Sequence, residues 1–449
     1  MKRLLFILLL FPVFVMGKRW INVGSPAFSA GATLFTSMAI HTNGMPYVVY
    51  SDSAYGYAAT VMKFDGSNWV TVGNPGFSAA EIQWTSIAID AGGIPYVAYS
   101  DAAYGRKATV MKFDGTSWVN VGSAGFSDGL ATTPSIALSA TGTPYVIYGD
   151  YGDTINVGSA TVMKFNGISW VTVGSPRFST GMDWGWKWIA IDGSGTPYMV
   201  YENGSSGEGP VSVMKFDGSN WVTVGSPNFS AGNVRDPSIV IDRSGTPYVA
   251  YQDCANGYAA TAMKYVGGIW ENVGSAGFSE GGVYTTSIAL DNNGTPYVAY
   301  LDEANGQRAT VMKNDAEGSW VNVGSTGFSL GRSFYTSLAI DGRGIPYVAF
   351  RDEANGSKAT VMKFDTSTVG IDNILSDNII TTFPNPATSQ LTITASNRIN
   401  TIAILNLLGQ VVYNNKYTNK QAEVDISALA AGIYLVKVNE VEVRKFVKQ

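Results

Sequence analysis

The motif Trp-x-x-Val-Gly returns seven times along this 449-residue chain, opening at Trp20, Trp69, Trp118, Trp170, Trp221, Trp270 and Trp320. Successive copies lie 49 to 52 residues apart. A Pro-Tyr pair keeps the same rhythm, from Pro46-Tyr47 to Pro346-Tyr347, and so does a Met-Lys pair, from Met62-Lys63 to Met362-Lys363. A period of this length restricts the chain to a repeat architecture. One unit cannot bury its apolar face alone and must stack on its neighbours.

The copy at residues 85–122 predicts four short strands. Thr85 to Asp90 alternates small or polar residues with isoleucine, as a half-buried strand does. A turn follows, and Pro95 opens the second strand, where the ladder does not yet need its missing N–H. Ala102 to Gly105 loops into a third strand from Lys107. Asp114-Gly115 is a hairpin signal before the fourth strand at Trp118. Four antiparallel strands in about 50 residues are the blade of a β-propeller.

The ends of the array are out of phase. The first copy begins in a fourth strand, Trp20 to Gly24, and the last stops after a third strand, Ala359 to Asp365. Pairing these ends completes seven blades and removes two bare edges. The expected fold is therefore all-β: a seven-bladed β-propeller over residues 18–365, closed by the N-terminal strand. High glycine (51 residues) and 12% aromatics against 14% charged residues suit such a turn-rich β-protein.

The net charge of −5 points away from nucleic acid. Residues 1–17 place Lys2 and Arg3 before an apolar run and read as a secretory signal peptide. No later stretch is long enough to span a membrane. Cys254 stands alone, which rules out an intrachain disulfide, and His41 stands alone, which rules out a multi-histidine metal site or a His-based triad. Neither a metal nor a cofactor is expected.

The repeat lapses over residues 366–382, a linker. Residues 383–449 alternate as short strands and predict a small β-sandwich. The tail carries Phe383-Pro384-Asn385-Pro386-Ala387, Leu408-Gly409-Gln410-Val411-Val412-Tyr413, Asp425-Ile426-Ser427-Ala428-Leu429, Gly432-Ile433-Tyr434 and a closing Lys445-Phe446-Val447-Lys448. These residues resemble the C-terminal sorting domain of the type IX secretion system of Bacteroidota. The resemblance implies export through the periplasm, partnership with that machinery, and release or attachment at the outer-membrane surface. It implies nothing about the propeller, which lacks the marks of WD and kelch repeats.

Function on a propeller belongs to the longer loops, here those between second and third strands and between successive blades. At the end of the second strand every copy shows an acid: Asp52, Asp101, Asp150, Glu202, Asp253, Asp302 and Asp352. This circle is either a ring of ligand carboxylates or a set of loop-bracing Asx turns. The inter-blade loops are expected to carry aromatics just before the first strand, at Phe35, Trp84, Trp186, Tyr284, Phe334 and Tyr335. Blades three and five have Thr132, Thr133, Arg235 and Asp236 there. Aromatic faces beside carboxylates suit sugars, although the same rings could pack between blades. Blade four departs most, with Trp184, Trp186 and Trp188, and with Glu202 and Glu208 near Asp150 and Asp153 of blade three.

The leading expectation is a secreted, non-catalytic binding module that recognises a polysaccharide or other extracellular ligand multivalently. The candidate ligand residues are Trp84, Trp184, Trp186, Glu202, Glu208, Asp150 and Asp153. A glycan-active hydrolase or lyase, pairing Asp150 or Asp153 with Glu202 or Glu208, is the alternative. A structural adhesion protein is a third.

Overall fold

The computed structural model describes residues 18–152, 158–179, 185–204, 208–366, 380–395, 398–407, 409–439 and 442–449. The expected signal peptide and residues 367–379 of the linker lie outside the described residues. The chain divides into two compact units, Met1–Thr368 and Val369–Gln449.

Among the described residues the repeats form seven four-stranded antiparallel sheets. In blade one the strands are Thr33–Ile40, Pro46–Asp52, Ala58–Phe64 and Trp69–Thr71. The Pro-Tyr strand is buried along its whole length. Its alternation is real but serves two cores. Val48 and Tyr50 pack toward blade seven, while Tyr47 and Val49 pack toward blade two. A strand with a core on each side shows no polar face, which is why Val and Tyr dominate it.

The repeated tryptophans join one blade to the next. Each indole Nε1 donates to the carbonyl of the motif valine one blade earlier, at 2.6–2.8 Å, as in Trp118 to Val72. Each ring also stacks on a phenylalanine, with centroids 3.9–4.6 Å apart. Burying the indole and satisfying its N–H together explain why tryptophan recurs there.

The seventh sheet is completed by the first strand of the chain. Arg19–Asn22 pairs antiparallel with Lys358–Asp365, placing Trp20 opposite Phe364. Blade seven also meets blade one: Trp69 donates to Val23, and the Met38 amide donates to the Ser337 hydroxyl at 3.1 Å.

The second unit has two sheets. One holds Ile380–Phe383, Gln390–Ala395 and Gln421–Asp425. The other holds Val411–Lys416, Thr401–Leu405, Gly432–Val438 and Glu442–Lys448. Leu391, Ile393, Ile402, Ile404, Val436 and Phe446 form its core. The strand Ile380–Phe383 adds three residues to this unit ahead of Phe383, because Ile380 is buried in that core.

Candidate functional site

Six of the second-strand acids are turned inward. Asp52, Asp101, Asp150, Asp253, Asp302 and Asp352 are only 0–3% exposed. Asp52 accepts the amides of Ala54 and Gly31, each at 3.0 Å, and Asp101 accepts that of Ala103. In blades three, five, six and seven a third-strand threonine donates to the carboxylate at 2.7–3.1 Å. The same threonine oxygens accept a backbone amide of the inter-blade loop. Asp52, Asp101, Asp150 and Asp253 accept the amide two residues on, as an Asx-turn residue does, whereas Asp302 and Asp352 take the side-chain amides of Asn305 and Asn355. Burial pushes the Asp52 and Asp101 carboxyls up, and their backbone or threonine hydrogen bonds pull them part of the way back.

Glu202 is not the seventh member of this set. Pro197 to Asn203 aligns with Pro46 to Asp52, and Tyr201 pairs with Ser212 as Tyr50 pairs with Thr60. Asn203 therefore holds the acid position and donates to Asn228 Oδ1 at 2.9 Å. Glu202 occupies the preceding position, whose side chain faces the other way. Matching the Pro-Tyr pairs residue by residue reveals this shift from sequence alone.

Of the aromatics expected in loops, Phe35, Trp84, Tyr284, Phe334 and Tyr335 sit inside the first strands, and Trp186 immediately precedes its strand, Lys187–Ile191. In six blades the first strand carries a β-bulge, with register shifts such as that between Leu34 and Ser37. The bulge residue is left-handed: Phe35, Trp84, Thr133, Asp236, Thr285 and Tyr335 have φ between 45° and 54°. Non-glycine residues rarely adopt this conformation, and a bulge re-aims the side chain it carries. Neighbouring blades hold the bulges. Thr85 donates to the Phe35 carbonyl, Thr286 to that of Asp236, and Thr336 to that of Thr285.

The bulges open onto a cavity of about 250 Å³ lined by the first strands of all seven blades. Tyr335, Phe35, Trp84 and Trp186 supply aromatic wall, with Phe35 centred 5.3 Å from Tyr335 and 6.0 Å from Trp84. Thr133, Asp236 and Thr285 supply polar wall at the equivalent positions. One residue further along each strand, Thr36 and Lys187 also face it. Below them runs a belt of serines, whose hydroxyls accept the next blade's amide, as Ser86 does from Ile136 at 3.1 Å. Among the described residues the hydroxyls of Thr36 and Thr133, in residues 7% and 5% exposed, meet no hydrogen-bond partner.

Blade four breaks the belt. Trp188 stands where the other blades have serine, and it packs against the cluster of Val200, Val213 and Val249 shared with blade five. Trp186 lines the cavity and belongs to no core cluster. Behind this wall Glu202 is 8% exposed, and its carboxyl meets no side-chain partner among the described residues. Burial, reinforced by the nearby Asp236 charge, pushes its pKa up to about 9 against the weaker pulls of Lys187, the Asp236 backbone amide and Arg235. Lys187 donates to the Gly185 carbonyl at 3.1 Å.

The other candidates are dispersed. Asp150 also pairs with Arg177 at 3.2 Å, and Glu208 pairs with Arg235. Trp184 and Asp153 lie outside the described residues. Among the described residues no group of three or more His, Cys, Asp or Glu side chains is placed to hold a metal ion. Lys187, Thr36 and the asymmetry of the cavity wall were not singled out from sequence. Aligning the seven first strands would have found them.

Comparison with known proteins fits this architecture. Residues 381–449 match the family described as the secretion system C-terminal sorting domain. No curated protein matches the chain. Among solved structures, a polysaccharide lyase, an ulvan lyase bound to -[GlcA(1-4)Rha3S]-, is similar over 77% of this chain and 95% of its own. Its identity is 13% and its TM-score 0.51. A puromycin-hydrolysing peptidase of Mycobacterium tuberculosis is similar over 84% of this chain and 61% of its own, at 12% identity and a TM-score of 0.50. PorZ, a surface component of the type IX secretion system of Porphyromonas gingivalis, is similar over 94% of this chain and 60% of its own, at 15% identity and a TM-score of 0.48. At such identities the likeness to the lyase and the peptidase is one of fold. Among the described residues no helix is long and apolar enough to cross a membrane. The chain is a propeller-like protein whose type IX sorting tail directs it to the cell surface or beyond.

Proposed function

We propose that this is an extracellular saccharide-binding protein whose recognition site is the cavity lined by the seven first strands, on a ring closed by the N-terminal strand. The observation that carries this reading is the cavity wall itself. Tyr335, Phe35 and Trp84 run side by side from blade seven to blade two, Trp186 stands between polar Thr133 and Asp236, and two buried threonine hydroxyls of the same wall have no partner among the described residues. Pyranose rings present C–H faces for stacking and hydroxyls for such orphaned groups. Six left-handed bulge residues aim at this one place, and backbone strain of this kind collects at functional sites.

Recognition at one cavity replaces multivalent recognition by seven equivalent loops. The repeated acids are buried and engaged by their own loops, so a ligand would have to break those loops to reach them. A hydrolase or lyase built on Asp150, Glu202 and Glu208 is not favoured. Asp150 and Glu208 are ion-paired, and Glu202 lies behind the wall.

A glycan array probed with the mature protein tests the proposal. Trp84→Ala and Trp186→Ala should each weaken the best binder about tenfold, the equivalent of about 1.4 kcal/mol. Trp188→Ala should instead cost about 3 kcal/mol of stability, as core truncations do. Absence of any glycan binding, or unchanged affinity in both cavity variants, refutes the reading.

A further inference from the structure

We infer that the saccharide taken by this cavity is uncharged and is seated on Trp84 between the hydroxyls of Thr36 and Thr133. This rests on the saccharide reading above and narrows it to a ligand class.

The first ground is the charge of the wall. Among the described residues lining the cavity, the charged side chains are Lys187 and Asp236, one of each sign. The Lys187 ammonium is directed to the Gly185 carbonyl. Arg235, the nearest guanidinium to Asp236 in sequence, is turned to Glu208 and lies over the Tyr258 ring at 5.2 Å. No arginine lines the cavity among the described residues. A sulfate or carboxylate entering here would lose water without gaining a bidentate partner, and it would do so beside the Asp236 carboxylate. That is a costly way to bury an anion.

The second ground is where the open hydrogen-bonding capacity lies. Most hydroxyls of the wall are committed. The serine belt accepts neighbouring amides, and Thr85, Thr286 and Thr336 donate to bulge carbonyls. Thr36 and Thr133 belong to blades one and three, with Trp84 in blade two between them, and their hydroxyls are buried without partners among the described residues, so a sugar meets them once a χ1 rotation turns each hydroxyl to the cavity. A buried orphan hydroxyl is costly until something pairs with it. A neutral sugar ring lying on Trp84 would present a hydroxyl to each side. The volume, about 250 Å³, is near the lower limit of small-molecule pockets, so the cavity holds the end of a chain and not its middle.

The test is calorimetric titration of the mature protein with neutral gluco-, manno- and xylo-oligosaccharides, and with oligogalacturonate and sulfated oligosaccharides as their charged counterparts. The expected result is a neutral best binder, preferred at least about tenfold over any charged sugar. The double variant Thr36→Val/Thr133→Val should fold with unchanged or higher melting temperature, because it removes orphaned hydroxyls. Its affinity should fall about tenfold. A charged sugar that binds as tightly, with binding still lost in Trp84→Ala, overturns the charge assignment and leaves the saccharide reading standing. Wild-type affinity in the double variant overturns the seat. Binding of no sugar at all overturns both this inference and the function beneath it.

Discussion

Glu202 offers a perturbation whose size follows from its burial. Its carboxyl is 8% exposed, has no side-chain partner among the described residues, and carries a pKa raised from 4.5 to about 9. An acid whose folded pKa is raised binds its proton more tightly in the native state than in the unfolded one. Its contribution to stability is therefore most favourable below pH 4.5 and declines as pH climbs toward 9. Each pH unit of that window costs about 1.4 kcal/mol. At pH 7 the accumulated cost is about 3 kcal/mol, and at pH 5 it is below about 1 kcal/mol. Glu202→Gln keeps the shape of the protonated acid and carries no charge to desolvate. The variant should unfold at higher urea concentration than wild type at pH 7, by the equivalent of about 3 kcal/mol, and the two should converge at pH 5. Urea unfolding of the propeller followed by tryptophan fluorescence at pH 5, 6, 7 and 8 measures this. A gain that does not change with pH, or a loss at pH 7, would refute the argument that desolvation dominates at this site.

Two further outcomes address the ends of the chain. Deleting Trp20 to Gly24 removes the Trp20 stack on Phe328, its bond to Val323, and the strand paired with Lys358–Asp365. The melting temperature of the whole propeller should fall, since truncating a buried tryptophan alone costs about 3–5 kcal/mol; an unchanged melting curve would indicate an open array. Removing residues 381–449 should leave a folded propeller inside the cell envelope of its native host, as fractionation and immunoblotting would reveal, and continued surface display would contradict the role of the sorting tail.

Much of the architecture was legible because it repeats. Trp69 and its six counterparts mark one position, and a position repeated seven times averages away local ambiguity. The out-of-phase ends, Trp20 at one and Asp365 at the other, foretold the pairing of first and last strands. The motifs of the tail were read correctly as a sorting domain for a similar reason, since their order along the chain carries the signal. The site was read less well. Glu202 reads as a member of the acid series because it ends a similar run of residues, and counting from the Pro-Tyr pair, as the strand register does, separates it from Asn203. Phe35, Trp84 and Tyr335 read as loop residues because a bulge interrupts the period-two pattern that announces a strand.

The covalent order of residues determined the repeat, the strand count and the destination of the chain, because these depend on spacing and on local pattern. Only the tertiary structure decided which side chains meet. Seven first strands from all parts of residues 33–340 gather around one cavity, and contact across such separations leaves no trace in any single segment. It also decided that six of the repeated acids are buried against their own loops. A carboxylate near a loop reads the same in sequence whether it faces water or a buried threonine, and the difference is set by what the neighbouring loop places above it.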